Sequence, residues 1–291
     1  MGEIYALACA LIWGFAVILF QRTGERVAPL ALNLFRSSLG VVLLLPTLWL
    51  AGQSLLHPAA ARDTLILLAS GIIGIAFADT LFHASLNRVG SGISAIVSTT
   101  YSPFVVLLAF LMIRERITLV DLAGMGLILS SVLLTGSLAP PPGRTRRQIV
   151  TGIVIGIVDL MLLAFSIVLA KPVLDQVPVL WATTVRQLGS LAALLIMALL
   201  SRRRREHFAV YRPSPGWRFM LPGAALGSYL ALILWIASMK HTMASLAAIL
   251  TQTSTIFILV FAAIFLREPF SKRKVAAASL AVAGVLLIVL A

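Results

Sequence analysis

This sequence predicts an all-α membrane protein of ten transmembrane helices arranged as two inverted five-helix repeats, and three observations carry the prediction. First, 60% of the residues are hydrophobic and 11% are charged, where a soluble domain carries about a quarter charged. Second, apolar runs of about 20 residues recur along the chain, each long enough to cross a ~30 Å hydrocarbon layer at ~1.5 Å per residue. Third, the chain repeats itself. Arg114-Glu115-Arg116 closes one long apolar run, and Arg267-Glu268-Pro269 closes another. At that same offset Gly74 falls on Gly227, Ser85 on Ser238, Ile96 on Ile249 and Ser98 on Thr251. A slightly different offset lays Phe15 over Phe165 and Arg36 over Arg186.

Taken in order, the spans read at about residues 3–20, 28–50, 64–86, 92–113 and 118–138, then 149–170, 178–200, 217–239, 244–266 and 275–291. Five fall in each copy, residues 1–138 and 149–291, with 139–148 as linker. An odd number per copy forces the second to enter the membrane in the opposite sense, which is what makes the repeats inverted. Span length favours helices over a barrel, whose strands need only ~9–11 residues and alternate in polarity. The first run is read as a span and not a cleaved leader, because Met1-Gly2-Glu3 is acidic and the run is too long. Pro46, Pro103 and Pro222 mark kinks that neighbouring helices can accommodate. The Pro-rich stretch after Leu138 and the Arg/Pro-rich 201–216 read as linkers. Cys9 is the only cysteine, so no intrachain disulfide forms.

A net charge of +13 records topology here and not a nucleic-acid partner. Outside the spans, one face collects Arg22, Arg26, Arg88, Arg144, Arg146, Arg147, Arg202 to Arg205, Arg212, Arg218, Arg267, Lys272, Arg273 and Lys274. The other holds Arg62, Arg114, Arg116, Lys171 and Lys240. The positive-inside rule makes the first face cytoplasmic and puts both termini outside. The run Arg202–Arg205 also suits anionic lipid head groups.

With the repeat laid out, the chain resembles the EamA-domain proteins of the drug/metabolite transporter superfamily over essentially its whole length. The residues that carry the resemblance are Trp13-Gly14, Arg36, Pro103, the turn around Glu115 and Gly124, repeated in the second copy as Arg186, Glu268 and Gly284. Leu163 and Ile256 depart from it, standing where the first copy has Trp13 and Pro103. The resemblance implies a central cavity between the repeats and export or exchange of small metabolites, amino acids prominent among them, in the bacterial inner membrane. For some members it also implies cytoplasmic termini, the opposite of the charge count, and both orientations stay open.

A charged side chain inside the bilayer costs at least ~2.5–3.5 kcal/mol and so asks for a partner or a wet cavity. Arg36, Asp79, Asp159 and Arg186 lie well inside spans. The arginines occur at the same place in both copies, which suits a scaffold role, with a substrate charge as the alternative. The carboxylates break the symmetry, since Asp79 aligns with Leu232 and Asp159 with Cys9. Asp159, near the middle of the sixth span where a lone ionised carboxylate is costly, is the candidate for ion coupling, a proton being the ion considered. The alternative is a salt bridge to an arginine. Asp79 and His83 share a helix face at i, i+4. They read as a hydrogen-bonded pair on the cavity, since two ligands alone make a weak metal signal.

The densest uncharged polar runs are Ser98-Thr99-Thr100-Tyr101-Ser102 and Thr251-Gln252-Thr253-Ser254-Thr255, which superpose in the repeat. They serve either as helix-to-helix hydrogen bonds or as a midplane binding site. In the second case Ser98, Tyr101, Gln252 and Ser254 contact the substrate, with Phe82, Tyr229 and Trp235 as aromatic walls. Gly71, Gly74 and Gly227 allow close helix approach. No phosphate loop, G-x-S-x-G, H-E-x-x-H or paired cysteine occurs, so no catalysis, cofactor or metal is expected. The expected partners are a small-molecule substrate and membrane lipid.

Overall fold

Apolar runs this long leave the backbone no hydrogen-bond partner in lipid except itself, and helix is the result. A computed structural model describes residues 1–24, 26–56, 59–114, 119–136, 143–267 and 272–289, and among these every regular element is helical. Eight helical stretches are long and apolar enough to cross a membrane, and the protein is a multi-pass membrane protein. The first four stretches are α1 (Gly2–Gly24), α2 (Pro29–Leu50), Ala61–Val89 and Ser91–Ile113. Further along come α8 (Arg146–Leu174), α9 (Val179–Leu200), Trp217–His241 and Ala244–Phe265. Two more helices, α7 (Leu119–Gly136) and α15 (Lys272–Val289), pack against each other.

Four of these stretches are not continuous α-helix. Ala61–Val89 divides into α3 (Ala61–Gly71), a π-helical segment Ile72–Ala78 and α4 (Asp79–Val89). Trp217–His241 divides alike into α11 (Trp217–Ala224), a π segment Ala225–Ala231 and α12 (Leu232–His241). Ser91–Ile113 breaks at Thr99 and Thr100 between α5 (Ser91–Ser98) and α6 (Tyr101–Ile113). Ala244–Phe265 breaks at Gln252 and Thr253 between α13 (Ala244–Thr251) and α14 (Ser254–Phe265). The offset that lays Gly74 on Gly227 superposes each interruption of one copy on its counterpart in the other.

Side chains near the interruptions engage the backbone there. Asn33 of α2 donates from Nδ2 to the Ile75 carbonyl at 2.7 Å and to Thr80 Oγ1 at 2.9 Å, clamping the first π segment. At the α5–α6 break Thr99 and Thr100 donate their hydroxyls to the Ile96 and Val97 carbonyls, and Thr253 does the same to Leu250 at the α13–α14 break. Such back-bonding by Ser and Thr bends helices. The two broken helices also bond to each other reciprocally. Ser102 donates to the Ala248 carbonyl at 3.3 Å, and Thr255, its counterpart, donates to Ala95 at 3.1 Å. Part of each polar run is therefore helix-to-helix bonding.

The Arg-Glu turns gain a meaning as well. Arg114 and Arg267 both take left-handed backbone, with φ of 58° and 53°, the first directly after α6 ends at Ile113 and the second just beyond the end of α14 at Phe265. Glu115, Arg116, Glu268 and Pro269 lie outside the described residues, as do residues 137–142, which include the start of the linker.

The structure changes two readings of the connecting segments. Helix α8 starts at Arg146, inside the stretch read as linker, because Thr145 and Gln148 form a capping box that holds its first turn. The 201–216 segment, read as linker, instead forms α10 (Arg204–Phe208) and a 3-10 turn Ala209–Tyr211. It docks because one side is apolar: Val210 is buried, the Phe35 and Tyr211 rings lie 6.0 Å apart, and the Tyr211 hydroxyl pairs with Ser38 Oγ at 2.6 Å. Arg202 to Arg205 stay exposed on the other side. Tyr211→Phe should cost about 0.5–1.5 kcal/mol, the net worth of one hydrogen bond, in thermal unfolding of the purified protein. Burial pushes the Tyr211 hydroxyl above its ordinary value of 10.0, the Ser38 bond opposing the push in part. The folded state therefore holds the phenolic proton more tightly, and the contribution present below pH 10 falls away above it. The phenylalanine variant should lack that alkaline component.

Candidate functional site

The interruptions bring polar groups to mid-depth, where α1, α2, α8, both π segments and both helix breaks meet around a cavity. It holds about 850 Å³ of empty space, counted out to open solvent. Its wall draws on matched positions of the two copies. Gly74 and Gly227, Asp79 and Leu232, Phe82 and Trp235, Ser98 and Thr251, and Tyr101 and Ser254 line it in pairs at one offset. From the first span of each copy, Cys9, Ala10 and Trp13 face it opposite Asp159, Leu160 and Leu163. The scaffold is thus matched while its chemistry differs. The first copy supplies Trp13, Phe82 and Tyr101 where the second supplies Leu163, Trp235 and Ser254.

Charge inside the wall is largely compensated. Arg36, only 3% exposed, pairs through Nη2 with Asp79 Oδ2 at 3.1 Å. Its Nε donates to Ser228 Oγ at 2.6 Å, and Nη1 sits 3.1 Å from His83 Nε2. Its guanidinium lies over the Phe20 ring at 5.0 Å and the Trp13 ring at 5.7 Å. One side chain of α2 therefore ties Asp79, directly after the first π segment, to Ser228 within the second. Removing it leaves a largely buried carboxylate without its cation.

Asp159 differs. It is 2% exposed and lines the cavity, and among the described residues no ion pair or hydrogen bond reaches its carboxylate. It is close enough to feel the charges of both Asp79 and Arg36. Nearby on the wall, Gln252 Oε1 and the Tyr101 hydroxyl are buried without a hydrogen-bond partner. Such orphans cost about 1–3 kcal/mol each unless a ligand or water completes them.

Of the residues singled out from sequence, Arg36, Asp79, Phe82, Ser98, Tyr101, Asp159, Trp235, Gln252 and Ser254 stand on the cavity wall. His83, Tyr229 and Arg186 do not. His83 is fully buried behind the wall, because Arg36 stands between it and Asp79 and takes up both. Tyr229 turns toward α2, its hydroxyl 2.8 Å from Thr47 Oγ1. Arg186 is wholly buried, donates to Ser70 Oγ and lies 5.6 Å behind the Trp235 ring. Sequence reasoning missed Ser228 and Asn33 as partners, since single polar residues in apolar runs read as neutral there. Trp13 and Leu163 entered only as family landmarks. The matching offset alone would have flagged both as wall positions.

Among the described lining residues no hydrogen bond joins a thiol or hydroxyl to a carboxylate or imidazole. The Cys9 thiol donates to the Ala231 carbonyl at 3.3 Å. Among the described residues no group of three or more His, Cys, Asp or Glu is placed to hold a metal. The wall can hold a solute with an apolar body and a few polar groups, and it offers that solute two matched sides.

The model of the EamA-like transporter family matches this chain twice, over residues 1–137 and again over 150–290. The chain belongs to the EamA-like transporter family. An uncharacterized transporter of Archaeoglobus fulgidus is 25% identical over 290 residues, covering 99% of this chain and 97% of that protein. A crystal structure with 17% identity superposes with a TM-score of 0.72, covering 97% of this chain and 96% of the other, a likeness of fold. Membership in this EamA-like family points to a transporter and not an enzyme, with a small molecule as its cargo in a membrane setting.

Proposed function

We propose that this EamA-like transporter exports or exchanges small amphipathic metabolites, amino acids first among them, by alternating access through the mid-depth cavity. The reading has ten spans in two oppositely oriented sets of five, residues 1–138 and 149–291, in the cell inner membrane. The observation that carries it is the wall itself, lined by matched positions from each copy. A site shared between two such halves can be exposed to either face by rocking one half against the other. Substrate contacts fall to Asp79, Phe82, Ser98, Tyr101, Trp235, Gln252 and Ser254. His83, Tyr229 and Arg186 act behind the wall as positioning residues, and Arg36 is the tie between the halves.

The test is transport by purified protein in liposomes. Preloaded radiolabelled amino acid should leave faster than from protein-free vesicles, and equal rates across an amino-acid panel and its controls would reject the reading. Asp159 is assigned the coupled proton, because it is a buried carboxylate on the cavity wall that no described cation pairs, and intramembrane ionisable residues of that kind mark ion pathways. Asp159→Asn should lower the rate and flatten its pH dependence. A variant with the rate and pH profile of the unmodified protein removes Asp159 from the coupling.

A second reading, a carrier of organic cations, is favoured by the same unpaired carboxylate. Sugar phosphates are disfavoured, since Arg36 is already ion-paired and Arg186 stands off the wall.

A further inference from the structure

The polar groups left free on the wall are one carboxylate and two neutral groups that can accept or donate, so the only free charge is negative. Asp159 carries a carboxylate that no described cation pairs, Gln252 Oε1 is an acceptor without a donor, and the Tyr101 oxygen has no partner. No cation on the wall has its donors free. Arg36 divides its donors among Asp79, Ser228 and His83. Arg186 keeps Nε and Nη2 without a hydrogen-bond partner but does not line the wall: its guanidinium packs against the Trp235 ring, and Ser166 lies between it and the space beside Gly74. The remaining surface is aromatic, with the rings of Trp13 and Phe82 5.6 Å apart and those of Tyr101 and Trp235 6.5 Å apart. An ammonium brings up to three donors and one positive charge, matching what the acceptors lack. A carboxylate entering this cavity would find no free cation.

We infer that the cavity recognises its substrate by the ammonium group, anchored on Asp159 and completed by Gln252 and Tyr101, with the apolar body held between the aromatic rings, and that a substrate carboxylate is tolerated and not bound. The inference rests on the transport reading above and names the chemical handle within it. Amines, and amino acids whose carboxylate is masked, then bind more tightly than the parent zwitterions.

The experiment measures equilibrium binding by the full-length protein in lipid nanodiscs to three matched probes: 2-phenylethylamine, phenylalanine and 3-phenylpropionate. The amine should bind about tenfold more tightly than phenylalanine, and the acid below detection, because a charge-assisted bond to Asp159 is gained without desolvating an unpaired carboxylate. Asp159→Asn should weaken the amine about tenfold, and Gln252→Leu should weaken it by less. Phenylalanine or the acid matching or exceeding the amine overturns the inference, as does binding of none of the three. If Asp159→Asn does not fold, the probe series on the unmodified protein decides alone. Counterflow of the same probes in liposomes separates the two proposals. The predicted binding order without movement across the membrane sinks the transport reading and leaves the handle standing. Movement of phenylalanine with no preference for the amine sinks the handle alone.

Discussion

Arg36→Met should destabilise the purified protein by about 3–5 kcal/mol, the usual cost of stranding one member of a buried ion pair, and should abolish transport. The carboxylate left behind is Asp79, whose side chain is 13% exposed. The same change frees Ser228, so the link between the first copy and the second π segment goes with it. Two companion variants separate charge from linkage. Adding Asp79→Asn removes the stranded charge and should restore about half of the lost stability. Arg36→Lys should restore little, because one ammonium cannot reproduce the fork that reaches Asp79, Ser228 and His83 together. A thermal midpoint for Arg36→Met indistinguishable from that of the unmodified protein would show that the tie contributes nothing.

Gly71→Ala carries the second large effect, and its cause is purely steric. A Cβ at Gly71 would lie 1.9 Å from the Arg186 carbonyl oxygen and 2.6 Å from its carbon. Both are backbone atoms of α9, so no side-chain rotation relieves the clash and two helices must separate. Overpacking of this kind costs about 1–3 kcal/mol. The added methyl also displaces the helix that carries Arg186 behind Trp235, so binding should fall along with stability. Gly126→Ala is the control, since nothing lies within 4 Å of its added Cβ and alanine is the better helix former by about 1 kcal/mol. Equal behaviour of the two variants in thermal unfolding would mean that α3 and α9 are not pressed together as described.

Much of the fold was legible because hydrophobicity and length dominate in a bilayer. The expected 178–200 and 217–239 meet helices at Val179–Leu200 and Trp217–His241. What periodicity could not register was where helices break within a run. A π segment such as Ile72–Ala78 is wholly apolar and carries no breaking residue of its own beyond Gly74, and its clamp, Asn33, comes from another helix. The breaks at Thr99–Thr100 and Gln252–Thr253 were visible as polar runs. Their double use was not: some hydroxyls bond across helices while Ser98, Tyr101, Gln252 and Ser254 line the cavity.

Side-chain direction was the least legible quantity. His83 sits at the right spacing from Asp79, yet Arg36 intervenes. Tyr229 is two residues from the wall residue Gly227, which puts it about half a turn away on the helix, and it turns to Thr47. Arg36 and Arg186 are equivalent in sequence but not in environment, since only the first meets a carboxylate. A repeat fixes backbone positions, and the differing neighbours decide what each side chain does there.

The cavity's role as a path between the two faces is tested most directly by solvent access to a single engineered thiol. Cys9 is the only cysteine, so Ser98→Cys in a Cys9→Ser background carries one reactive group, on the wall at the C-terminal end of α5. Reconstituted in sealed liposomes, it should react with a charged, membrane-impermeant thiol reagent added from either face, and more slowly when substrate is present. No reaction from either face, or reaction from one face only and indifferent to substrate, would contradict a cavity that opens to the two sides in turn.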